Sequence, residues 1–457
     1  MTLRVVNPFD PEVVCELPYD GGELLEKKVA AARSAFLRWR RIGVEERARR
    51  VREGIGRFRR ESEAIAREVT LQMGKPIAQA RREVETCCER AEYMLSIAAR
   101  TLAPEVLPSA EGFHLRIEHV PLGVVLNVAA FNYPLLIPVN VVVPALLGGN
   151  AVLLKHSPRT PLCGKAFERA FDPPDFSGVV TGLVLTNEET VRLIEDPRID
   201  HVAFTGSAEG GRAVYLAAAR RLIDAGLELG AKDPAYVASD ADLESTVADV
   251  VDGACYNAGQ SCCAVERVYV HRSLYPEFLE RARTLLEAYR LGDPMDERTT
   301  MGPLADPGAL VRLEGQVEDA VRRGARLLLG GKRVPGVRGN FFPPTLLADV
   351  PNEAQAMQEE SFGPLLPVLA VSDDEEALAR MQETRYGLTA SVWTRDRERA
   401  ERFARELDAG TVYQNRCDYL EPSLPWTGLR DSGVGTTLSK YGFYGLTRRK
   451  GIHFRGA

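Results

Sequence analysis

Cysteine and histidine are scarce in this sequence, with eight and six residues respectively among 457. So few cysteines argue against a scaffold held together by disulfides. No two cysteines have C-x-x-C spacing and the histidines are scattered, so the sequence shows no zinc site and we expect no metal.

Excess positive charge and long apolar runs are also missing. The formal net charge is −6, so no broad basic face indicates a nucleic-acid partner. The N-terminus has no basic segment followed by an apolar run, and prolines interrupt the longest apolar stretch, 135–147. We therefore expect no signal peptide, no membrane association and a cytoplasmic location.

Two kinds of pattern follow one another along the chain. Residues 23–102 are predicted to be mainly helical, because apolar residues recur there at helical spacing. From about Gly123, short β-branched runs alternate with helical segments, which predicts a parallel sheet covered on both faces. A second alternating stretch from about Pro234 to Asn415 predicts another α/β unit. The predicted strands of the first unit are 124–129, 151–154, 179–185 and 201–204, and its helices are 135–147, 159–171, 188–195 and 208–221.

The motif G-Q-S-C, which ends at Cys262, places a thiol between a predicted helix (242–257) and a predicted strand (265–270). A loop at this point could expose the thiol, and a nucleophilic cysteine must be accessible to act as a thiolate. The alternative is a buried cysteine that acts as a small hydrophobic residue.

Glu228 lies in the short apolar run L-E-L-G, just before a glycine. Desolvation would raise the pKa of this carboxyl group and suit it to general-base catalysis on water. The alternative is a glutamate satisfied at a helix start or by Lys232.

Two further motifs follow predicted strands. Asn132, in F-N-Y-P, has an amide that could donate to an oxyanion, although a helix N-cap or a turn is the simpler interpretation. In F-T-G-S, which ends at Ser207, a strand gives way to a helix whose first amides could hold a phosphate. This is not the G-x-G-x-x-G fingerprint, and a plain strand-to-helix turn is the alternative.

Taken together, these residues resemble those of the aldehyde dehydrogenase superfamily over nearly the whole chain. The stretches that carry the resemblance are PLGVVLNVAAFNYP, PALLGGNAVLLKHSP, FTGS, LELGAKDP, NAGQSCCAVERVYV, EESFGPLLPV, YGLTASVWT and PWTGLRDSGVG.

The resemblance implies catalytic roles for Cys262, Glu228 and Asn132. Cys262 matches the nucleophile of the family's G-Q-x-C motif, and Cys263 comes one place too late. Glu228 matches the general base, and Asn132 matches the side-chain oxyanion donor, with the Cys262 backbone N–H as the second donor. The implied reaction oxidises an aldehyde to a carboxylic acid through a thioester on Cys262. An acylating enzyme that uses coenzyme A and a non-catalytic protein that kept the fold are the alternatives.

The resemblance also implies NAD or NADP as the cofactor. Lys155 would contact the adenosine ribose, Ser207 the pyrophosphate, and Glu360 and Phe362 the nicotinamide ribose and ring. Without the resemblance, these would be a surface lysine, a turn serine, a loop glutamate and a core aromatic residue. The full predicted cofactor set is Lys155, Ser157, Arg159, Gly206, Ser207, Gly211, Leu229, Glu360 and Phe362.

One departure from the family pattern concerns cofactor choice. Pro158 stands where members that prefer NAD often carry a glutamate, and Arg159 follows it. The loss of an acid and the gain of a base would admit a 2′-phosphate, so we expect NADP to be accepted. The alternative is that Arg159 simply faces solvent at a helix start.

By analogy with the family, the substrate entrance is formed by Tyr133, Leu136, Ser261, Cys263 and Arg416. Arg416 could anchor the carboxylate of a semialdehyde. A local pair with Asp418 is the simpler interpretation.

The resemblance also implies a division of the chain. Residues 1–106 and 122–229 would form a Rossmann-like dinucleotide-binding domain, and 230–419 a second α/β catalytic domain. Residues 107–121 and 420–457 would form a small β flap for oligomerisation. The exposed strand predicted at 113–119 and the strand-like tail suggest strand pairing between subunits, in a homodimer or homotetramer.

Overall fold

The computed structural model describes residues 2–334 and 336–456. The first elements are β1 (Thr2–Val6), β2 (Val13–Pro18), α1 (Gly22–Trp39), α2 (Val44–Arg60), α3 (Ser62–Met73) and α4 (Ile77–Thr101). The predicted helical character of residues 23–102 is therefore confirmed. In α1 the buried residues Val29, Ala32, Phe36 and Trp39 recur at the helical spacing that the sequence shows.

A parallel sheet with connecting helices follows a short antiparallel pair. Its elements are β3 (Glu105–Leu107), β4 (Phe113–Pro121), β5 (Val124–Ala129), α5 (Leu136–Gly148), β6 (Ala151–His156), α6 (Pro161–Phe171), β7 (Val180–Leu183), α7 (Asn187–Ile194), β8 (His201–Thr205), α8 (Ala208–Arg221) and β9 (Ala225–Glu228). The parallel strands have the order β9-β8-β5-β6-β7, and β5 is buried throughout. Helix α5 is apolar around its whole circumference because it is almost entirely buried. The predicted parallel sheet is confirmed.

The second unit repeats this plan. Its elements are β10 (Asp233–Val237), α9 (Leu243–Cys255), β11 (Val265–His271), α10 (Tyr275–Glu287), α11 (Gly308–Arg322), β12 (Arg326–Leu329), β13 (Thr345–Ala348), α12 (Gln355–Gln358), β14 (Leu365–Val371), α13 (Asp374–Gln382), β15 (Tyr386–Gly387), β16 (Thr389–Trp393), α14 (Arg397–Glu406) and β17 (Thr411–Gln414). Seven strands form one sheet in the order β12-β13-β14-β11-β10-β16-β17, with only β12 antiparallel to its neighbour. Each of the two sheets has its own large apolar core.

The strands of the C-terminal segment pair with three different parts of the chain. Its elements are β18 (Leu429–Arg430), β19 (Gly433–Val434), α15 (Ser439–Tyr444) and β20 (Thr447–Arg455). Strand β18 pairs with β15 and β19 with β9, whereas β20 pairs with β4 along nine residues. Strands β18 and β19 thus pair with strands of the two α/β units, and β20 pairs with β4 within the same chain, where the sequence suggested pairing between subunits. Within the described residues, no helix combines the length and apolarity that a membrane span requires.

Candidate active site

Glu228, Cys262 and Asn132 come together from separate parts of the chain. Strand β9 ends at Glu228, and Asn132 follows the end of β5, so both lie at the carboxyl edge of the first sheet. Glu228 and Cys262 line one cavity of about 680 Å³. Asn132 is buried directly before Tyr133, which lines the same cavity. The edge of a parallel sheet is where such folds commonly bind ligands.

A left-handed turn delivers Cys262 to this cavity. Three successive residues from Asn257 to Gly259 have φ of 53°, 55° and 71°. A Cβ on Gly259 would lie 2.3 Å from the carbonyl carbon of Gly363, so this position requires glycine. The Gln260 side chain spans the turn, donating to the Asn257 carbonyl at 3.1 Å and accepting a backbone N–H at 3.0 Å. The glycine and the glutamine before Cys262 therefore set the backbone path.

The two adjacent cysteines have different environments. Cys262 is partly exposed, whereas Cys263 is buried with its sulfur 3.0 Å from an Asp418 carboxylate oxygen. The neighbouring Cys262 thiol, burial and the Asp418 charge hold the pKa of the Cys263 thiol well above its ordinary value. Cys262 is thus the accessible thiol of the pair, and Cys263 stays protonated.

Glu228 is a partly buried residue, and within the described residues its carboxyl group has one hydrogen-bond partner, the Thr437 hydroxyl. Burial raises its pKa above the ordinary value, while the hydrogen bond that Thr437 donates and the charge of Arg90 lower it. Lys232, the partner considered from the sequence, instead pairs with Glu266 at 2.8 Å. The carboxyl group therefore has the desolvated environment that a general base for water needs.

The turn that carries Asn132 is fixed by buried charged groups. The Lys75 ammonium forms an ion pair with Glu83 and donates to the Asn132 carbonyl at 2.9 Å. Asn257 donates to the same carbonyl at 3.0 Å, and Glu83 accepts the Leu135 N–H at 2.9 Å. Within the described residues, the Asn132 side-chain amide makes no hydrogen bond, so it is available to a substrate oxygen.

The ends of β6 and β8 supply groups that fit a dinucleotide. Lys155 lies near the end of β6, and burial lowers the pKa of its ammonium to about 8. Ser207 caps α8, and its hydroxyl accepts the Gly210 N–H at 3.2 Å. The other amides that begin this helix have no acceptor within it. A cation and a helix N-terminus match the charge of a pyrophosphate, so these residues fit NAD or NADP.

Gly206 and Gly211 are required by packing around this turn. A Cβ on Gly206 would lie 2.6 Å from the Phe204 ring, and one on Gly211 would lie 2.4 Å from Leu229. Ser157 directly follows β6, and its N–H donates to the carbonyl at the end of β5 at 2.8 Å.

Glu360 and Phe362 approach the first sheet from the second unit. Glu360 accepts the Ala231 N–H at 3.2 Å, and burial and the Glu266 charge raise the pKa of Glu360 to about 7. Phe362 packs edge-on against Phe131 with 5.9 Å between ring centroids. Their contact with the nicotinamide end of the cofactor stays a prediction.

Arg159 neither faces solvent freely nor stands free for a phosphate. Its guanidinium donates to the Ala305 carbonyl at 2.7 Å and forms an ion pair with Asp306 at 2.6 Å. It also lies over the Phe131 ring, 5.7 Å from the centroid. Contact with a 2′-phosphate would require this ion pair to open.

All five predicted substrate residues line the cavity, namely Tyr133, Leu136, Ser261, Cys263 and Arg416. The prediction of a local ion pair between Arg416 and Asp418 is wrong. Asp418 accepts the Ser261 hydroxyl at 2.8 Å, and the Arg416 guanidinium stacks on Tyr419, 3.5 Å from the ring centroid. No ion pair joins Arg416 to Asp418 in the part of the chain that the structure describes.

Sequence reasoning missed the residues that support the site, which are Lys75, Glu83, Arg90, Asn257 and Thr437. Glu83 and Arg90 had a readable signal, because both interrupt the apolar face of α4. Thr437 lies 209 residues from Glu228, and only the tertiary structure brings it there.

Comparison with known proteins finds relatives both in sequence and in structure. The sequence model of the aldehyde dehydrogenase family matches residues 1–452. The succinate semialdehyde dehydrogenase [NAD(P)+] of Escherichia coli (strain K12) is 35% identical over 441 residues, covering 96% of this chain and 95% of that protein. The succinate-semialdehyde dehydrogenase [NADP(+)] of Deinococcus radiodurans is 35% identical over 446 residues, covering 97% and 93%. The crystal structure of lactaldehyde dehydrogenase from Escherichia coli superposes with a TM-score of 0.95 at 34% identity, covering 100% and 96%.

Proposed function

The chain belongs to the aldehyde dehydrogenase family and oxidises an aldehyde to a carboxylic acid with NAD(P)+, and on that premise we propose that Cys262, Glu228 and Asn132 perform the reaction. The observation that carries this proposal is the shared cavity of Cys262 and Glu228. One group is the accessible thiol, and the other is a carboxyl group whose pKa is raised by burial.

In the first half of the reaction, the Cys262 thiolate attacks the aldehyde carbon. A carbon–sulfur bond forms, and the carbonyl oxygen becomes an oxyanion. The Asn132 amide and the Cys262 backbone N–H donate hydrogen bonds to that oxygen, and one such donor contributes roughly 3–4 kcal/mol. NAD(P)+, which Lys155 and Ser207 would help to hold, would supply the hydride acceptor, and loss of the hydride from the carbon would leave an acyl group on Cys262 as a thioester.

In the second half, Glu228 accepts a proton from a water molecule that attacks the thioester. The carbon–sulfur bond then breaks, the carboxylic acid leaves, and the Cys262 sulfur is released. The Glu228 carboxyl group, whose pKa burial raises, supports water over coenzyme A as the acceptor, because it supplies a base next to the thioester.

Rapid-mixing kinetics of Glu228→Gln test these roles. We expect one equivalent of reduced cofactor per subunit in a burst, followed by a stall, because the thioester forms but cannot be hydrolysed. Glu228→Asp is the control and should keep slow turnover. Loss of the burst itself in Glu228→Gln would contradict the role given to Glu228.

A semialdehyde is the substrate class that we propose. Two relatives are named as succinate-semialdehyde dehydrogenases, and both of those names include NADP(+) or NAD(P)+. We also propose that NADP+ is used, with Lys155 and Arg159 near the adenosine ribose. Steady-state kinetics with both cofactors test this, and a large preference for NAD+ would contradict it.

We propose a homodimer or homotetramer built through the sheet β20-β4-β3, in a reducing, cytoplasmic environment. Both outer strands of this sheet expose apolar residues, with Val106 80% exposed and Phe454 55% exposed. The eight cysteines are all free thiols, which suits a reducing compartment. Sedimentation of the purified enzyme tests the assembly, and a monomer at micromolar concentration would contradict it.

A further inference from the structure

Arg90 is a charged residue on the buried face of a helix. The buried residues Glu83, Cys87, Arg90 and Met94 of α4 are separated by three or four positions and share one face. Arg90 is only 6% exposed, yet it lines the cavity that contains Cys262. Its guanidinium therefore belongs to the wall of the substrate cavity and not to the surface.

The Arg90 guanidinium is poorly satisfied by the protein. Its single hydrogen bond within the described residues goes to the Asn140 side-chain oxygen at 3.5 Å, the outer limit for such a bond. The Nε–H is buried without an acceptor, and no carboxylate of the described residues lies within 4.0 Å of the group. Glu83, on the same helix face, is occupied by Lys75.

A buried guanidinium that lacks an anion is unfavourable, because it keeps its charge and has five donors to satisfy. No other carboxylate of the cavity forms an ion pair with it within the described residues, although the charges of Arg90 and Glu228 influence each other. Asp418 accepts bonds from Ser261 and Cys263, and Asp249 and Asp252 are exposed at the cavity's outer part, where water screens them.

Arg416, the arginine that the sequence suggested as an anchor, is placed differently. It is exposed and stacks on Tyr419. A surface guanidinium contributes less to binding a carboxylate than a desolvated one, because water competes for its donors.

We propose that Arg90 binds the carboxylate of an ω-semialdehyde, an aldehyde with a carboxylate at its other end. The guanidinium would take the carboxylate through paired N–H···O bonds, while the aldehyde carbon lies at Cys262. Asn140, on helix α5, offers the guanidinium one weak acceptor at 3.5 Å and leaves its other donors to the substrate. This inference rests on the proposed function of the Cys262 site and names the residue that selects its substrate.

The test compares succinic semialdehyde with butanal, which has a similar length and no carboxylate. For Arg90→Gln, we expect kcat/KM for succinic semialdehyde to fall roughly 100-fold, mainly through KM. The value for butanal should fall much less, because butanal has no carboxylate and loses only the influence of the Arg90 charge on Glu228. Arg90→Lys should recover part of the loss, because it restores the charge without the paired geometry. Succinate should inhibit Arg90→Gln correspondingly more weakly.

Arg100→Gln is the matched control, because Arg100 is an exposed residue of the same helix. It should leave both substrates unchanged. Equal falls in kcat/KM for succinic semialdehyde and butanal in Arg90→Gln would overturn the inference. So would a preference for succinic semialdehyde that is lost in Arg416→Gln but kept in Arg90→Gln. If Arg90→Gln fails to fold, succinate and butyrate are compared as inhibitors of the unaltered enzyme. Much tighter inhibition by succinate supports the inference, and equal inhibition overturns it.

The same experiment separates this inference from the proposed function. Suppose that the enzyme oxidises butanal through a Cys262 thioester, but that its preference for succinic semialdehyde over butanal does not depend on Arg90. That result overturns the role given to Arg90 and leaves the proposed function intact. An enzyme that forms no thioester on Cys262 with either aldehyde overturns both.

Discussion

Two groups of residues at the cavity are held in different ways. Cys262 and Glu228, which line it, and the adjacent Asn132, together called the floor here, are held by residues far away in the chain. Arg416 and Tyr419, at the exposed mouth of the cavity, stack on each other. Asn257 donates to Asn132 across 125 residues, and Thr437 donates to Glu228 across 209. At the mouth, the Arg416–Tyr419 contact is local and exposed.

This difference separates chemistry from specificity. The floor is correct only when both sheets and the C-terminal segment are folded, so its geometry belongs to the whole fold. Arg416 and Tyr419 can change without disturbing those contacts, because within the described residues it is Asp418, between them, that bonds to Ser261 and Cys263 beside the nucleophile. Arg90 is buried like the floor residues, whereas Arg416 is exposed. We therefore expect the Arg90 side chain, the proposed anchor for a substrate carboxylate, to be more rigid than Arg416 and Tyr419 at the mouth.

The largest effect is expected at the nucleophile. Cys262→Ala should lower kcat by ~10⁴-fold or more, because no thioester can form. The neighbouring Cys263→Ala should lower it by less than about tenfold, since that thiol is buried and held protonated. Steady-state cofactor reduction measures both variants, and equal losses would remove the distinction between the two sulfurs.

Lys75→Met should produce the next largest effect. It leaves the Glu83 carboxylate buried without its cation, which costs about 3–5 kcal/mol of the free energy of unfolding. Arg416→Met at the mouth should change it by less than ~0.5 kcal/mol. Urea denaturation measures both. Similar losses in the free energy of unfolding for the two variants would show that the contacts of the floor do not stabilise the fold more than those of the mouth.

Asn132→Ala should lower kcat by about 10²–10³-fold, because one oxyanion donor is lost. Asn415→Ala, which removes an amide near the mouth, serves as the comparison, since Asn415 bonds to Thr394 and not to the floor. We expect it to lower kcat by less than about tenfold. Single-turnover rates compare the two variants. An intact rate in Asn132→Ala would exclude this amide as an oxyanion donor.

The smallest effect concerns pH and Asp418. Burial raises the pKa of Asp418 to about 6, although the hydrogen bonds from Cys263 and Ser261 lower it. The pKa of an aspartate in the unfolded chain is about 3.9. The folded protein therefore binds more protons, and this stabilising contribution is complete below about pH 4 and lost as the pH rises through 6. Asp418→Asn should lack this loss. Thermal unfolding of both proteins from pH 4 to 7 measures it, and parallel profiles would contradict the raised pKa.

The fold and the reacting groups could be predicted from the sequence because their signals are local. Strand β5 follows its predicted bounds, 124–129, because it is a short run, half of it valine, bounded by turns. Cys262 and Glu228 lie in short motifs that the family resemblance identified. Arg90 was missed because its role depends on which face of α4 meets the cavity. Lys75 was missed because it lies in the turn between α3 and α4, and only the tertiary structure brings it to Glu83 and Asn132. The Arg416–Asp418 pair was wrong because the partners of Asp418 lie about 155 residues away.

The most direct test locates the acyl group itself. The enzyme is mixed with a semialdehyde and NADP+, quenched in acid, digested and sequenced by tandem mass spectrometry. We predict the mass of the acyl group on Cys262, with Cys263 in the same peptide unmodified. An acyl group on Cys263 or Cys417, or cofactor reduction with no acylated cysteine, would contradict the assignment of Cys262 as the nucleophile.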